Sequence, residues 1–128
     1  MSAQGVIQST GNIELHIEGA REVLFLPGAR WRVESGYTFE FIRSGNFEIH
    51  NPAGTLVWES GTGDQDAAKL VLRPNGDLAI YASGTPAPLW HTNTAGNPGA
   101  FVAFQQDGNF VVYDREAHPL WASDSVGK

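Results

Sequence analysis

Three turn tripeptides constrain this chain more than any other feature. Ser44-Gly45-Asn46, Asn75-Gly76-Asp77 and Asp107-Gly108-Asn109 place their glycines 31 and 32 residues apart. Each is followed, 12 or 13 residues after its last member, by a tryptophan in a similar setting: Leu56-Val57-Trp58-Glu59-Ser60, Pro88-Leu89-Trp90-His91-Thr92 and Pro119-Leu120-Trp121-Ala122-Ser123. A fixed period of this size marks a repeated supersecondary unit that cannot bury its apolar face alone, so the three copies must close on one another. A weaker echo, Gln8-Ser9-Thr10-Gly11-Asn12, lacks the tryptophan tail and reads as an N-terminal hairpin or a decayed fragment.

Within each copy apolar and polar residues alternate over short runs, as in Phe39-Glu40-Phe41, Phe47-Glu48-Ile49 and Leu78-Ala79-Ile80-Tyr81. No window sustains a helical period, and Gly, Pro and Asn punctuate the runs, so the chain reads as all-β with tight hairpins. A repeat of this length has room for about four short strands. With 128 residues at 41% hydrophobic, the chain is one domain with enough length for a modest core. Trp58, Trp90 and Trp121 are expected to meet in that core, since large aromatics dominate core burial.

The third copy carries Gln105, Asp107, Asn109, Val111 and Tyr113 on alternate positions. Alternate residues share one face of a strand, so these five predict a row of polar groups with one apolar spot on one arm of a hairpin. A neutral hexose needs groups that both donate and accept, plus an apolar contact for its ring C–H face. Ionised Asp107 only accepts, the amides of Gln105 and Asn109 do both, the Tyr113 phenol donates or accepts, and Val111 is apolar. The Asp-Gly pair also accounts for a plain hairpin turn, because Asp and Asn tolerate left-handed backbone, but a turn does not explain Gln105 or Tyr113.

The spacing Q-x-D-x-N-x-V-x-Y, together with the following Leu120-Trp121-Ala122-Ser123, resembles the signature of the bulb-type, monocot mannose-binding lectins, with every signature position met. The resemblance implies a β-prism II, with three four-stranded antiparallel sheets in pseudo-threefold symmetry. Residues 22–128 would form the lectin domain, with repeats at approximately 22–62, 63–94 and 95–125, and residues 1–21 an N-terminal hairpin or strand extension. It further implies that Asp107 and Asn109 hold the axial 2-hydroxyl of mannose, that Tyr113 and Gln105 hold the 4- and 3-hydroxyls, and that Val111 touches ring carbons. Glucose would leave Asp107 and Asn109 poorly paired, at ~1–3 kcal/mol for each unsatisfied buried group. No metal or cofactor is called for, and the partners expected are mannose or mannose-containing glycans.

The other copies depart from the signature. The second reads Arg73, Asn75, Asp77, Ala79 and Tyr81, a degenerate site that keeps an amide, a carboxylate and a phenol in another order. The first reads Ile42, Ser44, Asn46, Glu48 and His50, which is dead for mannose. One good site per chain binds a sugar near millimolar, about -4 kcal/mol, so useful avidity requires a dimer or larger assembly. The resemblance includes homodimers built by exchange of terminal strands. Here the N-terminal segment with Ile7, Ile13, Leu15 and Ile17 is the better candidate for an exchanged or edge-covering strand than the short tail after Trp121.

Other function classes find little support. A net charge of -6 with eight scattered basic residues offers no footprint for nucleic acid or an anionic membrane. Met1-Ser2-Ala3-Gln4-Gly5 has no export-signal character and no apolar run reaches membrane-spanning length, so the expectation is a soluble protein, cytoplasmic or released by a non-classical route. There is no cysteine, a departure from the disulfide usual in plant members of the family that points toward a bacterial, fungal or cytoplasmic relative. Glu40, Glu48, Asp64, Asp66 and Asp114 read as solvated charges rather than a hydrolytic pair, and His16, His50, His91 and His118 have no metal-ligand spacing. The chain is therefore expected to be non-catalytic. The alternative to a sugar binder is a sugar-inactive prism scaffold that acts through protein contacts, as an adaptor or bacteriocin-like module.

Overall fold

The computed structural model describes residues 6–7, 11–17 and 21–128, and every regular element among them is a β-strand. Met1–Gly5 and the Gln8–Thr10 part of the weak echo lie outside the described residues. The strands are β1 (Val6–Ile7), β2 (Ile13–His16), β3 (Val23–Phe25), β4 (Arg30–Arg32), β5 (Thr38–Phe41), β6 (Phe47–His50) and β7 (Leu56–Glu59). They continue as β8 (Ala67–Leu72), β9 (Leu78–Ala82), β10 (Pro88–His91), β11 (Phe101–Phe104), β12 (Phe110–Tyr113) and β13 (Pro119–Ala122).

Three antiparallel sheets result, one per repeat. The first runs β4-β5-β6-β7, the second β3-β8-β9-β10, and the third β1-β2-β11-β12-β13. Each repeat supplies three strands rather than about four. The fourth comes from residues 13–32, which include the start of the expected first repeat and lay β2 on the third sheet, β3 on the second and β4 on the first. This choice satisfies the outer backbone groups of β11, β8 and β5, which would otherwise be open sheet edges. The third sheet gains a fifth strand because β1 folds back on β2, with Ile7 opposite Ile13. The N-terminal segment thus covers an edge of its own chain.

The hairpin turns share one construction. In the three repeat turns, Gly45, Gly76 and Gly108 donate to the carbonyls of Ile42, Arg73 and Gln105 at 2.9, 2.9 and 3.0 Å. The same glycines take φ of 92°, 97° and 93°, which closes a tight turn with a left-handed fourth residue. Each turn also leans on the next repeat. A methyl at Gly45 would meet Ala67 at 2.5 Å, at Gly76 the Asn97 carbonyl at 2.4 Å, and at Gly108 the Tyr37 ring at 2.4 Å. Glycine is therefore required for backbone conformation and for sheet-to-sheet approach together, which is why the period is so regular.

The inner faces bury Phe39, Phe41, Phe47, Ile49, Leu70, Leu72, Leu78, Ile80, Val102, Phe104, Phe110 and Val112 at 1% exposure or less. Trp58, Trp90 and Trp121 meet as the repeat predicts, edge to face around a triangle with centroids 5.7, 5.6 and 5.4 Å apart. They are partly buried and pack against the phenylalanine-rich centre rather than forming it. Trp31 on β4, which the repeat leaves unassigned, stacks on Phe104 at 4.8 Å and ties an N-terminal strand to the centre.

Candidate functional site

The five signature residues of the third repeat gather at one end of the third sheet, but they do not share one arm. Gln105 ends the β11 arm, Asp107 sits in the turn, and Asn109, Val111 and Tyr113 belong to the β12 arm, because the left-handed Gly108 reverses the chain between them. The reversal places Gln105 opposite Asn109, its N–H donating to the Asn109 carbonyl at 3.0 Å. Polar groups that alternate in sequence become neighbours across the hairpin.

Their hydrogen bonds are specific. A carboxylate only accepts, so the Gln105 amide turns its Nε2 toward Asp107, donating to Oδ1 and Oδ2 at 3.1 and 3.3 Å, and its Oε1 toward the Tyr113 hydroxyl, which donates to it. Asp107 Oδ1 also accepts the Asn109 N–H at 2.9 Å. Asp107 is exposed, whereas Gln105, Asn109 and Tyr113 are half-buried. Gln105, Asp107 and Tyr113 thus form one connected polar unit before any ligand arrives.

Asn109 is used differently from the sequence expectation that its amide both donates and accepts. Its Oδ1 accepts the Ser125 N–H and the Ser123 hydroxyl, both at 3.2 Å, which leaves Nδ2 as the group it can offer outward. The clamp recurs. Asn46 Oδ1 accepts from Gly61, Thr62 and Ser60, and Asp77 Oδ1 from Thr94 and Thr92. In every copy the two hydroxyls bond each other and the second donates to the turn glycine's carbonyl, at 2.6 to 2.8 Å. Ser123 and Ser125 are therefore positioning residues that motif reasoning missed. Their signal was the pair of hydroxyl residues spaced by two after each tryptophan: Ser60 and Thr62, Thr92 and Thr94, Ser123 and Ser125.

Val111 is only 2% exposed, with Ala103 opposite it. An open apolar spot is not what the sheet presents. Around it the outer face carries a line of rings, His16 stacked on Phe101 at 4.3 Å and Phe101 on Tyr113 at 5.3 Å, with Glu14 accepting from His16 at 2.8 Å. The turn itself is tied to the N-terminal part of the chain. Gln106 donates its N–H to Asn12 at 2.8 Å and its Oε1 accepts the Ser35 N–H at 2.6 Å.

At the equivalent place in the second sheet, Arg73 Nη1 donates to the Tyr81 hydroxyl at 2.9 Å, and this bond raises the guanidinium pKa above its ordinary value. Asp77 is 9% exposed and its Oδ2 pairs with His91 at 3.0 Å, so the exchange of Asn and Asp converts a free amide into a paired carboxylate. Asn75 Oδ1 accepts the Asp77 N–H, and Ala79 is fully buried. In the first sheet, Asn46 Nδ2 is taken by Glu48 at 2.9 Å and Glu59 at 3.0 Å, while His50 lies 3.5 Å from Glu48. Ile42 stands where Gln105 stands in the third sheet, and Ser44 where Asp107 stands. Among the described residues no group of three or more His, Asp or Glu is arranged to hold a metal ion.

No protein-family model and no curated protein matches the chain. Solved structures do. The chain is similar to monomeric monocot mannose-binding lectins from Gastrodia elata, with TM-score 0.72 and 24% identity over 88% of this chain and 97% of that one. It is similar to the lectin of Marasmius oreades, with TM-score 0.75 and 20% identity over 89% and 92%. A third is the Polygonatum cyrtonema lectin solved with monomannoside, with TM-score 0.65 and 26% identity over 92% and 99%. These likenesses define a β-prism II built from three repeats about a tryptophan triangle. The fold is that of the bulb-type lectins.

Proposed function

We propose that this protein is a non-catalytic, metal-independent lectin that binds mannose or mannose-containing glycans at the end of the third sheet. The observation that carries the reading is the linked unit of Gln105, Asp107 and Tyr113 beside the outward amide nitrogen of Asn109. A pyranose diol needs neighbouring acceptors and donors at fixed positions. Asp107 supplies acceptor capacity, Asn109 Nδ2 donates, and the Tyr113 and Gln105 pair can open toward two further hydroxyls. Several of these groups are held by backbone or side-chain partners already, so little conformational entropy is lost on binding. The similar Gastrodia lectins are mannose-binding and the Polygonatum lectin was solved with monomannoside, which supports the same ligand class. The C–H contact would fall on the half-buried Tyr113 ring, since Val111 is covered.

A site this shallow binds weakly, near millimolar or about -4 kcal/mol, and pairing of chains would supply the avidity that a single site lacks. Titration with methyl α-mannoside tests the reading, read by amide shifts of the third sheet. Asp107→Ala and Tyr113→Ala should each abolish the response while leaving the fold unchanged. Absence of any mannoside-dependent shift at tens of millimolar sugar would transfer the protein to the adaptor class.

A further inference from the structure

The three outer faces are built on one backbone plan but carry different charge. Along the β5 file of the first sheet stand Thr38, Glu40 and Ile42, and along the β11 file of the third stand Phe101, Ala103 and Gln105. The corresponding file of the second sheet is Lys69, Val71 and Arg73. Both cations act on Tyr81, the counterpart of Tyr113. Arg73 holds its hydroxyl at 2.9 Å, and Lys69 Nζ lies 5.6 Å from its ring centroid. Below them Val71, Ala79 and Tyr81 form a small buried apolar cluster, with Leu24 packed against it from β3, and it supports the two exposed cations from beneath.

The acidic groups nearby do not cancel this arrangement. Asp77 acts electrostatically on Arg73, but its carboxylate is nearly buried and its oxygens are held by Thr92, Thr94 and His91. Glu22 acts electrostatically on Arg73 from the edge of the sheet. Arg73 spends one of its five N–H donors on Tyr81, which aims the guanidinium across the face and leaves a planar fork able to grip a carboxylate through two bonds.

We propose that the outer face of the second sheet is a binding site for an acidic sugar, a pyranose ring bearing a carboxylate. Arg73 takes the carboxylate, and Lys69, exposed like Arg73, adds a second positive charge at the far end of the file. The proposal rests on the reading that the outer faces of this prism receive sugars, and it assigns the second face a ligand class different from that of the third.

An NMR titration of the full chain tests it, with methyl β-D-glucuronide as the probe and methyl β-D-glucoside, sodium sulfate and methyl α-mannoside as separate arms. The glucuronide should shift the amides of Lys69, Arg73 and Tyr81, with a response that weakens as salt rises, while the neutral glucoside should not. Arg73→Gln installs the residue that the third repeat carries at the same turn position, so the fold should persist, and it should weaken glucuronide binding at least tenfold. Lys69→Gln should weaken it less. An unaffected second sheet, an Arg73→Gln variant that binds as before, or sulfate shifts equal to those of the glucuronide would each overturn the assignment. The mannoside arm separates the two readings. A silent glucuronide with a responding third sheet removes this proposal alone, and the reverse removes only the mannose reading.

Discussion

The side-chain carbonyl of Asn109 accepts the backbone N–H of Ser125 at 3.2 Å, so the residue that offers a donor at the candidate site is held by the turn that closes its own sheet. Fold and site are thus linked through one amide. Ser125 is 1% exposed and its hydroxyl donates to the Gly108 carbonyl at 2.7 Å. Ser125→Ala leaves that carbonyl and Ser123 short of a partner, which should cost about 1–3 kcal/mol. Urea unfolding should show the loss, and mannoside affinity should fall with it at temperatures where the variant is folded.

The turn glycines separate conformational strain from steric approach. Gly108 has φ of 93° and a methyl there would lie 2.4 Å from the Tyr37 ring, whereas Gly84 has φ of 72° with nothing within 4 Å. Gly84→Ala should cost about 1–2 kcal/mol for the left-handed backbone alone. Gly108→Ala should cost more, because the Tyr37 ring must also shift. Equal midpoints in thermal unfolding of the two variants would show that the approach of the third turn to the first repeat is not tight.

Removing one tryptophan should break the whole triangle. Trp90 lies 5.7 Å from Trp58 and 5.4 Å from Trp121, and its loss to alanine should cost about 3–5 kcal/mol. The two remaining indoles still face each other at 5.6 Å, so the near-ultraviolet circular dichroism of the folded variant should weaken without vanishing. A change under about 1 kcal/mol would mean that the indoles are a surface feature and not part of the core.

The loop after Tyr113 should respond to acid. Asp114 accepts the backbone N–H groups of His118 and Glu116, both at 2.9 Å, and the His118 bond above all holds its carboxyl below the ordinary carboxylate value. A depressed folded-state pKa gives stabilisation that is complete above the unfolded value, near 3.9, and is lost as pH falls through the folded value. The protection of the Glu116 and His118 amides, measured relative to their intrinsic exchange rates, should therefore fall as pH drops below about 4, and Asp114→Asn should remove that fall. Protection factors for these two amides that stay constant as pH falls from about 4 to about 2 would contradict this role.

Much of the fold was legible because its determinants are local and repeated. Gly45, Gly76 and Gly108 announce tight turns by residue type, and Trp58, Trp90 and Trp121 announce a shared core by their matched spacing. The allotment of strands was not legible. Residues 13–32 contain three short strand-like runs, and nothing in their composition says that each crosses to a different sheet, because edge pairing depends on which edge is open in space. Of the site, the residue types were visible and their uses were not. Val111 looked like a contact and is buried, and Asn109 looked bifunctional but has spent its carbonyl on Ser123 and Ser125.

The sequence by itself determined that three β units of one plan close about a tryptophan triangle, since period, turn chemistry and apolar alternation are properties of neighbouring residues. Only the tertiary structure decided which polar atoms remain available at each turn. That outcome depends on contacts between residues 13 to 17 positions apart, Asn109 with Ser125, Asp77 with Thr94 and Asn46 with Glu59. A hydrogen-bond acceptor consumed inside the protein cannot also serve a ligand, and this makes three similar turns chemically different.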